Sequence, residues 1–406
     1  RQTIPGPLIM KKLYYLIALL VLLGCKKDDE VPVTSFTRIY DHSNYNVDYR
    51  PLDVEEGTDS YVILATTTLD RTQFPGIQLV QVDKEGEFES SYEFSENTIA
   101  PTSDLMKIDT FFYFFAMDPV SLQASLVSFT PGFGNITATL LNGLLYPLAG
   151  SLTSDNQFLL LSYNPDDKLS VVSKVDRTGS VGSSAAYTIG PGSDVEEAII
   201  NHYTQPDDKS LPFFCGEVSG SLVYFNGFFN YSMSLVFSNF SGDPAGVVQG
   251  QFTDAGVRSV LPINGSTFAI SGYQFDDNYI YPSVTLSTGG LSSSVDLYTS
   301  NAAEWRPHTP VVLKNYTLNE VEYIIYAAET KSRQIALYMY EKNSGNFAGL
   351  TYIGYANPFS LSSLTVDEEN HLVVLGTTYV ARRFRRIFVE KISETDMEKR
   401  VLKTED

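Results

Sequence analysis

Short apolar runs, each ending in a small residue, recur along the chain at nearly even intervals. The runs cover residues 61–65, 113–116, 158–162, 212–216, 268–272, 323–327 and 372–376, and their small end residues lie 51, 46, 54, 56, 55 and 49 positions apart. Such short runs are typical of buried β-strands and too short for helices. We expect the small residues where strands of a closed repeat converge on its axis, because a large side chain would collide there.

In most units a later strand ends in a tight turn, and a shorter strand precedes the apolar run. The clearest turns are Asp83-Lys84-Glu85-Gly86 and Asp176-Arg177-Thr178-Gly179, where glycine permits positive φ and Asp braces the turn. The sequence therefore predicts an all-β, seven-bladed β-propeller of four-stranded antiparallel blades over residues 35–406. A β-helix would need shorter repeats, and two sandwiches would not keep one period. We expect an extra strand at Phe36–Tyr40 to pair with the last blade and cover its edge.

The repeat of an apolar strand, a loop and a strand that closes in V-D-x-x-G stands most clearly at Val82–Gly86 and Val175–Gly179. It resembles the delta-60 and kelch-like propeller lipoproteins of Bacteroidota. The resemblance implies a propeller fold. It implies no active site, because many of these lipoproteins have no assigned activity.

The first thirty residues have the order of an export signal. Lys11 and Lys12 follow Met10, and the uncharged run from Leu13 to Leu23 is too short to span a bilayer as a helix. The run closes in Leu22-Leu23-Gly24-Cys25, which resembles the lipobox of bacterial lipoproteins. The resemblance implies that residues 1–24 hold a signal peptide with its true start at Met10. It also implies that Cys25 is acylated and anchors the protein to a membrane.

Residues 25–34 form a charged tether behind the lipidated cysteine. The stretch Lys26-Lys27-Asp28-Asp29-Glu30 is too polar to pack. It resembles the acidic export signal of many Bacteroidota lipoproteins, which implies an outer-membrane lipoprotein displayed at the cell surface. A plain linker of a periplasm-facing lipoprotein would have a similar composition, so both locations stay open.

The composition excludes one class of partner. Without residues 1–24 the chain has 25 Lys and Arg against 48 Asp and Glu, a formal charge of −23. Nucleic acid phosphates would be repelled, so no nucleic-acid partner is expected. Once Cys25 is acylated, Cys215 has no disulfide partner, and stability must come from a core. We expect a monomer.

No catalytic, metal or cofactor motif is found. The chain lacks G-x-S-x-G and calcium-loop motifs, and His42, His202, His308 and His371 are not spaced as metal pairs. His202 and His371 fall within predicted strands. The sequence therefore predicts no catalytic residue, no cofactor and no metal.

Two features suggest a ligand site on the face where blade-to-blade crossings emerge. Segments 224–231 and 273–281 are predicted as long aromatic loops, and the next crossing carries the sole tryptophan. We expect Trp305, Tyr273 and Tyr279 to form an exposed platform for sugar rings. The alternative is that these aromatics continue the strands.

The second feature is the segment Arg382-Arg383-Phe384-Arg385-Arg386 in unit seven. Arg383 and Arg386 are expected across the funnel from the platform, as a clamp for carboxylates or sulfates. The alternative is a solvated charge run that protects a sheet edge.

These features predict a lipid-anchored binding or scaffold protein that holds a glycan or another envelope protein. The alternative is a hydrolase or lyase acting on polysaccharide, with acidic residues in the propeller funnel. A third reading is structural mediation within an envelope complex through an apolar patch.

Overall fold

Seven sheets follow one another along the part of the chain that the structure describes. A computed structural model describes residues 34–40, 48–69, 72–102, 104–190, 192, 194–206, 210–355, 357–380 and 384–401. The signal peptide, Cys25, nearly all of the tether and Arg383 lie outside these ranges. The predictions about them therefore stay predictions.

The strands fall into blades in chain order, after an opening strand β1 (Phe36–Tyr40). Blades 1 to 3 contain β2 (Tyr49–Glu56), β3 (Ser60–Thr67), β4 (Gly76–Asp83), β5 (Phe88–Glu93), β6 (Met106–Ile108), β7 (Phe111–Met117), β8 (Gln123–Thr130), β9 (Gly134–Leu145), β10 (Pro147–Leu152), β11 (Phe158–Asn164), β12 (Leu169–Val175) and β13 (Val181–Thr188). Blades 4 and 5 contain β14 (Phe214–Ser219), β15 (Leu222–Phe229), β16 (Ser232–Ser238), β17 (Gly246–Gln249), β18 (Ala255–Pro262), β19 (Thr267–Gln274), β20 (Asp277–Thr285) and β21 (Leu291–Ser293). Blades 6 and 7 contain β22 (Val311–Leu318), β23 (Val321–Glu329), β24 (Ile335–Glu341), β25 (Phe347–Ile353), β26 (Phe359–Val366), β27 (Leu372–Val380) and β28 (Phe384–Ile392).

The predicted seven-bladed β-propeller is confirmed. First strands lie side by side around the axis, with β10 beside β14, β18 beside β22, β22 beside β26, and β26 beside β2. The predicted closure is also confirmed, because β1 pairs antiparallel with β28 from Phe36 opposite Lys391 to Tyr40 opposite Ile387. The last blade therefore takes its outer strand from the start of the domain, which ties the two ends of the ring together.

The core consists of layers between adjacent blades. Along β3, Tyr61, Ile63 and Ala65 pack towards blade 7, and the alternate residues Val62 and Leu64 pack towards blade 2. Both faces of the strand are buried, since every residue of β3 is buried. A strand covered on both sides needs apolar side chains at successive positions, which explains the continuous apolar runs of the sequence.

Two of the small residues, Gly272 and Gly216, make room for an aromatic ring of the facing strand rather than for a neighbouring blade. A Cβ on Gly272 would lie 2.1 Å from Tyr279 Cζ, and Tyr279 is its direct partner on the neighbouring strand. The same arrangement recurs where Gly216 lies under Tyr224. Each glycine thus accommodates an aromatic ring that folds over it from the facing strand.

Unit four departs from the predicted register. The run at residues 212–216 was predicted as a second strand, but β14 begins at Phe214 and is the innermost strand of its blade. A helix, α1 (Glu196–Thr204), occupies the crossing before this blade, and this insertion shifts the repeat by one strand. The prediction that His202 lies in a strand is wrong, because it lies in α1, and His371 precedes β27 rather than lying within it.

Blade 5 keeps three antiparallel strands instead of the predicted four. The short strand β21, which follows β20 in the chain, pairs in parallel with β17 of blade 4. The edge of β20 is covered by the Asn301 amide, which accepts from Ile280 N–H and donates to Ile280 C=O, both at 2.8 Å. Pro282 on the same strand has no N–H to offer a partner.

A second helix, α2 (Glu394–Val401), follows the last strand and buries Met397 and Val401 against blades 6 and 7. Within the described ranges, neither helix has the length and apolar character needed to cross a bilayer.

Candidate functional site

One face of the propeller carries the turns between second and third strands together with the crossings between blades, and we call it the crossing face. Near the axis it holds a cavity of about 220 Å³. Its walls come from blades 1, 6 and 7 and from the crossings that lead into blades 4 and 6. A second cavity of about 200 Å³ adjoins it and shares Arg50, Pro206 and Arg385 with it.

Four arginines and one carboxylate line the larger cavity, and we call it the arginine cavity. The arginines are Arg50, Arg306, Arg333 and Arg385, and the acid is Glu329. Glu329 Oε1 lies 2.8 Å from Arg333 Nη1 and 3.5 Å from Arg306 Nη1. The Glu329 side chain is 3% exposed, whereas those of Arg306 and Arg333 are 37% and 47% exposed. Two partly exposed guanidinium groups therefore share one buried carboxylate.

The other two arginines are held by polar contacts of the cavity wall. Arg50 donates to the carbonyl of Pro206 at 3.2 Å. Arg385 Nε donates to the Tyr379 hydroxyl at 3.2 Å, and its backbone N–H donates to Asp48 Oδ1 at 2.8 Å. These contacts position both side chains at the rim shared by the two cavities.

His308 also lines the arginine cavity, in a left-handed backbone conformation with φ of 59°. Its Nε2 lies 3.7 Å from Asp276 Oδ1. Burial, followed by the charge of Arg258, lowers the pKa of His308. The imidazole is therefore mainly neutral at pH 7, and its contact with Asp276 is a weak one.

The predicted aromatic platform is not on the surface. Trp305, Tyr273 and Tyr279 are 1%, 3% and 0% exposed. Trp305 packs edge-on against Tyr338 within the core between blades 5 and 6. Tyr279 covers Gly272, and the Tyr273 ring lies 4.3 Å below the Arg258 guanidinium. The prediction of an exposed platform is wrong, because Tyr273 and Tyr279 belong to buried parts of β19 and β20 and Trp305, in the crossing, is covered by blades 5 and 6.

The predicted arginine clamp is contradicted at Arg386 and stays untested at Arg383. Arg386 is 4% exposed and donates to the carbonyl of Arg385, so it does not face a ligand. Successive residues of a strand point to opposite faces, so its neighbour Arg385 lines the cavity instead. Arg383 lies outside the described residues.

Sequence reasoning missed Arg306, Arg333 and Glu329 as a group. They stand in a crossing and in the hairpin of the next blade, and no spacing rule links them. Only the fold shows that the turns converge.

Two acids lie further along the innermost strand β2. Asp53 accepts from Leu105 N–H at 2.8 Å and from the Ser363 hydroxyl. Burial raises the pKa of Asp53, and burial together with the charge of Asp53 raises the pKa of Glu55 to about 7. Both residues are partly accessible to solvent.

Among the described residues, no group of three or more His, Cys, Asp or Glu side chains is arranged to hold a metal ion.

Neither a protein-family model nor a curated protein matches this chain. Among solved structures, the β-propeller domain of the Trilobed protease from Pyrococcus furiosus is similar over 85% of this chain and 97% of its own, with 11% identity and a TM-score of 0.47. Pyrococcus horikoshii acylaminoacyl peptidase is similar over 86% of this chain, which spans 53% of that protein, with 11% identity and a TM-score of 0.47. Drosophila Semaphorin 2a is similar over 88% of this chain and 75% of its own, with 9% identity and a TM-score of 0.49. At these values no function transfers, and the fold assignment rests on the seven sheets.

Proposed function

We propose that this protein is a binding protein that holds the carboxylate or sulfate group of an acidic glycan in the arginine cavity. One observation carries the proposal, namely that Arg306 and Arg333 share the single carboxylate of Glu329 and keep much of their surface exposed. The lipobox at Leu22–Cys25 supports a lipid anchor, so the site would be presented at the surface of a membrane.

The charge of the rest of the molecule strengthens this proposal. The whole chain has a net charge of −20, so most of its surface repels anions, whereas the cavity gathers guanidinium groups. Arginine binds carboxylates and sulfates through two parallel hydrogen bonds, which a point charge cannot do. An anionic group is therefore drawn to this cavity and oriented within it.

The test uses a tetrasaccharide of galacturonic acid and its methyl-esterified form, which keeps the sugars and removes the charges. Residues 31–406 should bind the acid form at least about tenfold more tightly than the ester, and less tightly as salt is added. The double substitution Arg306→Gln/Arg333→Gln should remove this preference. Arg177→Gln is the matched control, because Arg177 is 45% exposed and pairs with Asp109 in a turn on the opposite face. Equal binding of the acid and the ester, measured by titration calorimetry, would contradict the proposal.

The polysaccharide hydrolase remains the second candidate, and the raised pKa of Glu55 favours it. A carboxyl group with a pKa of about 7 can donate a proton near neutrality. Cleavage of the tetrasaccharide that disappears in Glu55→Gln would favour this candidate, whereas an intact sugar after incubation leaves the binding function.

A further inference from the structure

Three exposed aromatic side chains stand on the crossing face above blades 4 and 5. Tyr231, Phe252 and Phe275 are 49%, 58% and 60% exposed. They occupy the β15–β16 turn, the crossing from blade 4 to blade 5, and the β19–β20 turn. We call them the aromatic row.

Hydrogen bonds hold the three segments of the aromatic row together. Met233 N–H, two residues after Tyr231, donates to the carbonyl of Phe252 at 2.7 Å. Phe275 N–H donates to the carbonyl of Asp254, two residues after Phe252, at 2.6 Å. The rings therefore project from neighbouring backbone segments and form one surface.

The backbone at each of these positions favours glycine over an aromatic residue. The φ angles of Tyr231, Phe252 and Phe275 are 68°, 50° and 52°, in the left-handed region where a bulky side chain is strained. The Tyr231 ring rests partly on Gly190, whereas Phe252 and Phe275 are 58% and 60% exposed, so burial compensates little of the strain at these two positions. This strain serves only to single out Phe252 and Phe275 for the test by substitution.

The aromatic row leads into the arginine cavity. Asp276 follows Phe275, and its carboxylate lies 3.7 Å from Nε2 of His308, which lines the cavity. A ligand with an acidic group in the cavity can therefore extend over Phe275 towards blade 4.

We propose that the aromatic row binds the sugar rings of an acidic oligosaccharide whose charged end lies in the arginine cavity. This inference rests on the proposed function and extends it from an anionic group to an oligosaccharide. The C–H face of a pyranose stacks on an aromatic ring, and successive sugars present successive faces.

The experiment compares a galacturonic acid tetrasaccharide with the monosaccharide, because only the longer ligand reaches the aromatic row. Glycine is the replacement that fits the left-handed backbone, so Phe252→Gly/Phe275→Gly should leave the thermal midpoint unchanged or raised. We expect this variant to bind the tetrasaccharide at least tenfold more weakly and the monosaccharide as before. Phe88→Ala is the control, because Phe88 is 57% exposed on strand β5 of blade 1, and it should bind both sugars normally.

The outcomes separate the two proposals. If the wild-type protein binds both sugars and the glycine variant binds the tetrasaccharide unchanged, the aromatic row is refuted and the arginine cavity stands. If the wild-type protein binds neither sugar, both proposals fail. A lowered thermal midpoint in the variant would refute the proposal for the aromatic row, because the rings would then stabilise the fold. A changed oligomeric state with unchanged sugar binding would also refute it, because the rings would then contact a second copy of the chain.

Discussion

Two clusters of charged side chains lie on opposite faces of the propeller, and they differ in how their charges are balanced. On the face opposite the crossing face, Asp367 joins blade 7 to blade 1. Its carboxylate accepts from the Tyr61 hydroxyl at 2.6 Å and from His371 N–H at 2.7 Å, and Lys391 Nζ lies 3.7 Å away. The side chains of Asp367 and Lys391 are 1% and 3% exposed. We call this group the closure cluster.

The closure cluster and the arginine cavity show two uses of the same residue types. In the closure cluster each buried charge has an opposite partner, and the contacts link the first and last blades. In the arginine cavity Arg306 and Arg333 share the Glu329 carboxylate, and part of their surface stays open. A buried pair of opposite charges holds an interface together, whereas two arginines that share one carboxylate and stay open to solvent are suited to binding an anion.

The largest expected effect is at the closure cluster. Asp367→Ala would leave Lys391 buried without its carboxylate and should lower the free energy of unfolding by about 3–5 kcal/mol. Arg333→Ala in the arginine cavity removes a half-exposed charge and should lower it by less than about 1 kcal/mol. Urea unfolding of both variants measures the difference. Similar losses of unfolding free energy in the two variants would show that both clusters stabilise the fold to the same extent, which would contradict the comparison.

Acid should destabilise the region around α1 before it affects the closure cluster. Burial, with a contribution from Arg50, lowers the pKa of His202 in α1 to about 4, and the ring accepts from Leu211 N–H at 3.0 Å. The unfolded chain binds this proton near pH 6.5, so stability falls as the pH drops from about 6.5 to 4, by on the order of 3 kcal/mol in total. Burial raises the pKa of Asp367, but hydrogen bonds from Tyr61 and His371 outweigh it and hold the pKa below the ordinary value. The contribution of Asp367 therefore persists above pH 4 and disappears only at lower pH.

The free energy of unfolding of the wild type and of His202→Gln, measured between pH 7.5 and 4, tests whether protonation of His202 destabilises the protein in this range. The wild type should lose stability relative to the variant across that window. Parallel curves would mean that His202 is protonated in the folded protein at its ordinary pKa.

The smallest expected effect on stability is at Glu329 in the arginine cavity. Glu329→Gln removes the one acid between Arg306 and Arg333 and should destabilise the fold by only about 1 kcal/mol, because solvent still reaches both guanidinium groups. Galacturonate should bind several-fold more tightly to this variant, since the competing carboxylate is gone. Weaker binding in calorimetry would show that Glu329 orients the arginines rather than competing with the ligand.

The fold could be predicted further than the site. The even spacing of apolar runs, the turn at Asp176–Gly179 and the spare strand Phe36–Tyr40 are local features, and they were enough to predict the blades and their closure. Local sequence could not predict whether Trp305 is exposed, because this depends on which neighbouring blade covers the crossing. For the same reason the exposed ring in this segment proved to be Phe275 rather than Tyr273 or Tyr279, which lie only a few positions away.

The sequence by itself determined the class of fold, because hydrophobic periodicity and turn residues act over a few neighbouring positions and repeat in every unit. It also determined the strongly acidic balance of charge. Only the tertiary structure decided that Arg306, Arg333 and Glu329 meet, and that β21 joins blade 4 instead of blade 5. Closing a ring brings together turns that are far apart in the chain, and no short-range pattern encodes which of their side chains will face each other.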